Sequence, residues 1–267
     1  MRAFADLYLQ QFKTSLAATL QYRASLSIWL IGHVLEPLVF LIVWSTVSNS
    51  NGGSIGGFTT EGFAAYFILL MLVNHVTYTW IMYEFEYRIR NGTLSFALLK
   101  PIHPIHSDIA DNIASKLITM PFMLLIAAVL ALTFHPNLSP APWSLILAFP
   151  ALLLALLIRF LIEWTLAQAA FWITRVSAIN QIYFVLMLFF SGQLAPLALY
   201  PAFIQGVAAV LPFRWMISFP LELLLGRLTI TQALAGLATQ AAWLLISYVL
   251  FRIVWRAGVR VYSAVGA

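Results

Sequence analysis

Apolar residues are concentrated in six runs along the chain, and short polar segments separate the runs. A helix needs about 20 mostly apolar residues to cross roughly 30 Å of hydrocarbon, so the pattern predicts six transmembrane helices. They cover approximately residues 26–47, 63–83, 113–134, 143–164, 182–191 and 233–254. The predicted fold class is an all-α integral membrane protein, with residues 1–267 forming a single transmembrane domain.

The segment 192–231 is also largely apolar, but four prolines interrupt it. They are Pro196, Pro201, Pro212 and Pro220. A proline inside a helix removes a backbone donor and disturbs the preceding turn, so one straight helix is not expected here. We predict short re-entrant helices between the fifth and sixth spans, with protein or water satisfying their freed backbone groups.

An amphipathic pattern precedes the first span, within residues 1–24. Its apolar residues recur every four positions, at Phe4, Tyr8, Phe12, Leu16 and Leu20. This spacing places them on one helix face and is typical of a helix that lies in the membrane interface. A helix packed against a partner subunit would have the same pattern, so both interpretations stay open.

The composition agrees with a membrane protein. Hydrophobic residues make up 62% of the chain and charged residues 9%, whereas soluble domains contain about 45–50% and 25%. These values exclude a soluble enzyme, a nucleic-acid-binding domain and a disordered protein. Because the chain has no cysteine, a disulfide scaffold and a cysteine-ligated zinc or iron–sulfur site are also excluded.

The positive charges predict the orientation of the chain. If both termini are cytoplasmic, eleven of the 14 Lys and Arg residues lie on inner segments or at their edge. Arg214 and Arg227 then lie outside, and Arg159 lies within the fourth span. The positive-inside rule favours this orientation over its inverse. The net charge of +5 is therefore attributed to topology, and no nucleic-acid partner is expected.

The inner loop 85–112 has the most distinctive polar pattern of the chain. Asn91–Gly92 predicts a turn, Thr93 is placed to cap a short helix over residues 94–100, and Pro101 ends that helix. The short helix would lie at the membrane surface. It would either anchor on lipid headgroups or dock a cytoplasmic partner.

No sequence motif for ATP hydrolysis is present. The chain has no phosphate-binding loop, no nucleophile elbow and no H-E-x-x-H motif. We therefore predict that it is not an enzyme by itself.

Two motifs resemble those of ABC-2 type ABC transporter permeases. The string RNGTLSFALLKPIHP, residues 90–104, is similar to the R-x-G-x-L-x-x-x-L-x-x-P element of that family. The string SGQLAPLALYPAFIQGVAAVLPFRW, residues 191–215, is similar to its S-G-x-x-x-P…P…L-P signature after the fifth span. Both motifs stand at the expected places of a six-span chain, so the resemblance covers nearly its whole length.

The resemblance implies a role for each part of the chain. Residues 1–24 would be a connecting helix, and the inner loop would form a coupling helix that fits a cleft on an ATPase subunit. The implied coupling residues are Arg88, Arg90, Asn91, Gly92, Leu94, Leu98, Leu99, Lys100 and Pro101. The re-entrant helices would close an external gate, for which the implied residues are Ser191, Gly192, Pro196, Pro201 and Pro212.

The resemblance also implies an assembly. Two permease subunits, identical or related, would form the pathway of an exporter, and two cytoplasmic ABC ATPase subunits would drive it. ATP and magnesium would bind the ATPase, and this chain would bind no cofactor. The complex would lie among the lipids of the cytoplasmic (inner) membrane of a bacterium.

Polar residues within the first two spans are candidates for the pathway. His33, Glu36, Asn74 and His75 lie at similar depth, and Pro37 predicts a kink beside Glu36. Ionisable groups in a membrane are costly and usually functional, so we predict a polar cluster that lines the pathway. The alternatives are hydrogen bonds that fix helix packing, or a protonated Glu36 at a subunit contact.

Two further sets of polar residues are predicted to be structural. Arg159 and Glu163 are four residues apart, so they share a helix face and predict an ion pair. His103, His106, Asp108 and Asp111 include a spacing found in metal sites, but their loop setting favours solvated side chains. No metal site is predicted.

Two other functions compete with the exporter. One is a proton-coupled secondary transporter that uses Glu36 and the membrane histidines, although the chain shows no inverted repeat. The other is a membrane enzyme acting on lipid, although no set of catalytic polar residues converges at one interface. A gene for a soluble ATPase next to this one would favour the exporter.

Overall fold

The computed structural model describes residues 2–21, 23–173 and 175–263, and they are predominantly helical. A β-hairpin follows the second helix, and two 3₁₀ helices, Gln168–Phe171 and Leu197–Leu199, follow the seventh and eighth helices. The elements in chain order are α1 (Arg2–Gln21), α2 (Arg23–Ser50), β1 (Ser54–Ile55), β2 (Phe58–Thr59), α3 (Thr60–Thr77), α4 (Ile81–Arg90), α5 (Leu94–Leu98), α6 (Ile105–Phe134), α7 (Pro142–Ala167), α8 (Ser177–Phe190), α9 (Ala202–Val210), α10 (Pro212–Met216), α11 (Ser218–Leu224) and α12 (Ile230–Val261).

Within the described residues, four helical segments are long and apolar enough to cross a membrane. They are Thr60–Arg90, Ile105–Phe134, Pro142–Phe171 and Ile230–Val261. Shorter apolar helices cover Val34–Ser50 and Ser177–Phe190. The chain is thus an all-α membrane protein in which each of the six predicted apolar segments corresponds to helix, while the count of six spans stays a prediction.

The second predicted span, residues 63–83, is interrupted between α3 and α4. Tyr78 leaves the helical conformation, with φ −59° and ψ 143°, so its carbonyl points away from the helix. Lys116 and Asn112 of α6 both donate side-chain hydrogen bonds to that carbonyl. Polar side chains of a neighbouring helix therefore satisfy the broken backbone, which is the condition for a break within a membrane.

The third predicted span begins eight residues earlier than the apolar run indicates, because α6 starts at Ile105. Much of the predicted loop 85–112 is therefore helical, because it contains the end of α4 and the start of the long helix α6. This continuity means that the loop is held by α4 on one side and by α6 on the other.

The long helix α7 lies at the centre of the core. Trp164 and Arg159 of α7 are among the largest fully buried side chains, and α3, α4, α11 and α12 all pack against this helix. Trp164 is surrounded by rings of other elements, including those of Phe85, Phe251 and Trp255 at centroid distances of 5.0–5.3 Å. This aromatic cluster fixes the end of α7 that faces α4.

The amphipathic helix α1 packs along α6 of its own chain. A hydrogen bond joins the Tyr8 hydroxyl to Nδ1 of His106, and the Ser15 hydroxyl donates to the Asp111 carboxylate. The side chains of Phe4 and Leu20 lie outside the described residues. The described contacts give α1 a polar attachment within its own chain, and the interfacial position stays a prediction.

Candidate functional site

The segment 88–101 forms a compact turn between α4 and α6. Asn91 ends α4, Gly92 adopts a positive φ of 69°, and α5 follows at once. Leu94 is completely buried, whereas Phe96 is 70% and Leu99 is 83% exposed. The segment is therefore anchored through Leu94 and presents two large apolar side chains on its outer surface.

The start and the end of this short helix differ from the prediction. Thr93 has helical angles, φ −71° and ψ −17°, and makes no capping hydrogen bond. A capping residue normally needs an extended conformation to reach the free N–H groups; the Thr93 hydroxyl instead donates to the Arg88 carbonyl, at 3.4 Å. The helix ends at Leu98, so Leu99, Lys100 and Pro101 lie beyond it.

Arg88 is held firmly at the start of the segment. Its guanidinium donates to Glu84 at 3.1 Å and to Asp108 at 2.6 Å. The other carboxylate oxygen of Asp108 accepts a hydrogen bond from the indole N–H of Trp164, at 2.9 Å. Asp108 therefore connects the segment to α6 and α7 together, and this connection was not apparent in the sequence.

Most of the remaining predicted coupling residues lie at the surface of the segment. Arg90 is half exposed and its guanidinium lies 3.6 Å from Glu86. The Asn91 side chain donates to the Tyr87 carbonyl at 3.1 Å. Leu98 is partly buried against the core, whereas Lys100 and Pro101 are exposed. The structure thus brings all nine residues into one continuous feature, in which Arg88 and Leu94 face inward.

The side chains with metal-like spacing do not converge. His103 packs against Trp255 and Trp164, with ring centroids 4.4 and 5.7 Å apart, while His106, Asp108 and Asp111 each contact a different partner. No group of three such residues that could hold a metal exists among the described residues. Burial, aided by the nearby charges of His106 and Arg252, lowers the pKa of His103 to about 4, so its ring is neutral at pH 7.

A cavity of about 500 Å³ opens between α2, α3, α7 and α8. Glu36, Asn74, Arg159 and Gln193 supply polar groups to its wall. Its apolar wall is formed by α8, through Phe184, Val185, Met187 and Leu188. The structure therefore brings together two of the four residues of the predicted polar cluster, Glu36 and Asn74.

The other two residues of that cluster do not join them. His75 is buried, and its Nε2 lies 2.9 Å from the Thr119 hydroxyl of α6. Adjacent helical residues are about 100° apart around the axis, so Asn74 faces the cavity while His75 faces α6. The side chain of His33 lies outside the described residues.

Arg159 and Glu163 form a buried ion pair with a separation of 2.8 Å. Arg159 also donates to Asn74 at 2.8 Å and to Thr77 at 3.0 Å. The Glu163 carboxylate also accepts hydrogen bonds from the Thr79 and Tyr183 hydroxyls. The spacing of the two residues on α7 predicts the ion pair itself. Only the fold reveals its hydrogen-bond partners, which lie on α3, on α8 and between α3 and α4.

The segment from Ser191 to α11 is made of short helices, which begin after Pro196, Pro201 and Leu211. Its attachment to the core is polar: Tyr66 donates to the Gly192 carbonyl at 2.7 Å, and Trp44 donates to the Leu194 carbonyl at 2.9 Å. Ser191 is fully buried beside Gly192. Pro212 occupies the first turn of α10, where a missing N–H costs nothing.

Replacing Gly192 with alanine is expected to destabilise the protein by about 1–3 kcal/mol. Gly192 has a φ of 88°, and a Cβ atom would lie only 2.6 Å from the Tyr66 hydroxyl. The midpoint of thermal unfolding in detergent should fall. Gly206→Ala is the matched control, because nothing lies within 4 Å of its Cβ position. Equal midpoints for the two variants would contradict the expected strain.

Comparison with known proteins adds one finding. A family model described as an ABC-2 family transporter protein matches residues 34–266. The match therefore includes every element from α3 to α12, together with the segment 88–101, most of the cavity wall and the short helices after α8. A search of curated proteins found no match.

Proposed function

This chain belongs to the ABC-2 family of transporter proteins, and from that premise we propose that it is the membrane permease subunit of an ATP-driven exporter. It would form half of the translocation pathway and couple to a separate ATPase subunit. The observation that carries the proposal is the exposed apolar pair Phe96 and Leu99 on the anchored segment 88–101. Docking of a partner would remove this pair from water.

The form of the segment suits the transmission of force. Leu94 anchors it in the core, and Arg88 connects it through Asp108 to α6 and α7. A displacement imposed on Leu99 by a closing ATPase would therefore move two long helices. A local change can be converted into a domain movement only through rigid contacts of this kind.

The proposed assembly contains two copies of such a permease, identical or related, and two cytoplasmic ATPase subunits. ATP and magnesium would be held by the ATPase. The excess of Lys and Arg on the segments assigned to the inside supports cytoplasmic termini. We place the complex in the cytoplasmic membrane of a bacterium, with export as its direction.

A proton-coupled secondary transporter remains the second candidate, because Glu36 lies in the wall of the cavity. An acidic group in such a place is suited to carry a proton across a membrane. This candidate leaves the exposed pair Phe96 and Leu99 without a role. Transport that follows a proton gradient and ignores ATP would favour it over the exporter.

Leu99→Asp is expected to abolish the association of this chain with its ATPase, because a charge would replace the most exposed apolar side chain of the segment. The tagged chain would be purified from membranes of its native host, and the bound protein tested for the ABC ATPase sequence and for ATP hydrolysis. Phe203→Asp is the matched control, since Phe203 is 80% exposed on α9. Retained ATPase in Leu99→Asp, or no ATPase with the unmodified chain, would contradict the proposal.

A further inference from the structure

Glu36 is the starting point, because its charge is not neutralised by the residues around it. The carboxylate is exposed on α2 and lines the cavity. Among the residues that the structure describes, it makes no ion pair and no hydrogen bond, in contrast to Glu163. A charged group in this position is costly unless it gains a partner of opposite charge.

The cation nearest to it in the cavity wall, Arg159, does not fill that role. The side chain of Arg159 is only 2% exposed and is paired with Glu163 at 2.8 Å. Its remaining hydrogen bonds go to Asn74 and Thr77. The pair contributes no net charge, so a carboxylate charge on Glu36 has no counter-charge among the described residues of the cavity wall.

The other side of the cavity is apolar. Phe184, Met187 and Leu188 of α8 line it, whereas α2 and α3 contribute the polar groups of Glu36 and Asn74. Tyr78 also lines the cavity. A volume of about 500 Å³ lies within the range of pockets that hold drug-sized molecules.

We propose that this cavity binds amphipathic cations, with the cationic group at Glu36 and the apolar part along α8. The inference rests on the proposed function, since it names the class of cargo that the exporter would carry. An anionic amphiphile would meet the unpaired carboxylate of Glu36 and find no exposed cation among the described residues of the wall. A neutral apolar molecule would leave that charge unpartnered.

The test uses two probes of the same shape and opposite charge, tetraphenylphosphonium and tetraphenylborate. Their binding to the purified full chain is measured by equilibrium dialysis in nanodiscs of zwitterionic phosphatidylcholine, and the signal of empty nanodiscs is subtracted. The cation should bind saturably and the anion should not. Glu36→Gln should weaken cation binding by about tenfold or more, because a charge-assisted contact is lost.

Glu61→Gln is the matched control, because Glu61 lies at the start of α3 and outside the cavity. It should leave binding unchanged. Leu188→Trp provides a second variant if Glu36→Gln does not fold, because filling the cavity should abolish binding while Glu36 is retained. Saturable binding of both probes, or cation binding that survives both cavity variants, would overturn the proposal.

The outcome is separable from that of the ATPase experiment. The nanodisc assay needs neither ATP nor a partner, so it reports on the cavity alone. Association with an ATPase but no selective cation binding would overturn only the cargo class. Selective binding without an ATPase partner would overturn the exporter and retain the cation site.

Discussion

Glu163→Gln is expected to destabilise the protein by about 3–5 kcal/mol, because it leaves the buried charge of Arg159 without a counter-charge. The two side chains are 2% and 1% exposed, so the uncompensated guanidinium would be almost entirely shielded from water. The substitution keeps the volume of the side chain nearly constant, which separates the effect of charge from that of packing. Its magnitude is the largest that we expect from a single substitution.

The structure explains why this carboxylate is difficult to replace. Glu163 accepts hydrogen bonds from Arg159, Thr79 and Tyr183, which come from α7, from the break after α3 and from α8. A glutamine is uncharged and has one acceptor oxygen in place of two, so it cannot accept from Arg159 through one oxygen and from Thr79 through the other as the carboxylate does. The loss therefore affects the packing of several helices at the same position.

The measurement is the midpoint of thermal unfolding in detergent, followed by size-exclusion chromatography. Arg90→Gln is the control, since the Arg90 guanidinium is half exposed and lies 3.6 Å from Glu86, and ion pairs at the surface contribute less than about 1 kcal/mol. The double variant Arg159→Met, Glu163→Leu should recover much of the stability, because it removes both charges. A single variant as stable as the unmodified chain would show that Arg159 does not depend on Glu163.

The helices of this fold could be predicted from hydropathy because each apolar run has the length and composition of a buried or lipid-facing helix. The break at Tyr78 could not be predicted in this way. Tyr78 and Trp80 are apolar enough to continue the run, and the break depends on Lys116 and Asn112, which approach from α6. Contacts between distant parts of the chain leave no trace in local periodicity.

The polar cluster shows the same limit for the candidate site. Hydropathy predicted that Glu36, Asn74 and His75 lie at similar depth, and the structure assigns Glu36 and Asn74 to one cavity. It assigns His75 to the opposite side of α3, against Thr119. Depth follows from position along a span, whereas the direction of each side chain depends on how the helix is rotated against its neighbours.

Asp108 has a role in the fold that its sequence setting does not indicate. Its place in a run of histidines and aspartates predicts a solvated side chain. It is instead 5% exposed and joins Arg88 to Trp164. Its role depends on the early start of α6, which brings Asp108 under the segment 88–101.

Asp108→Asn is expected to loosen the segment 88–101, because Arg88 loses the nearer of its two charged partners and keeps only Glu84, while Trp164 keeps an acceptor oxygen. A hydrogen bond to a charged group contributes about 1.5–3 kcal/mol, so amide hydrogen exchange across the segment should become about ten to a hundred times faster. Exchange is followed by mass spectrometry of peptides that cover residues 84–101. The purified chain is sufficient for this measurement, and no partner is needed.

Asp111→Asn is the matched control, since it makes the same chemical change one turn further along α6. Its partner is Ser15 of α1, so it should increase exchange in α1 and leave the segment unchanged. If the permease is coupled as proposed, the Asp108→Asn variant should still bind its ATPase through Phe96 and Leu99. ATP hydrolysis by that ATPase should, however, drive transport poorly. Equal exchange in the two aspartate variants would show that Arg88 and Asp108 do not hold the segment, and rigid transmission through α6 and α7 would then lose its structural basis.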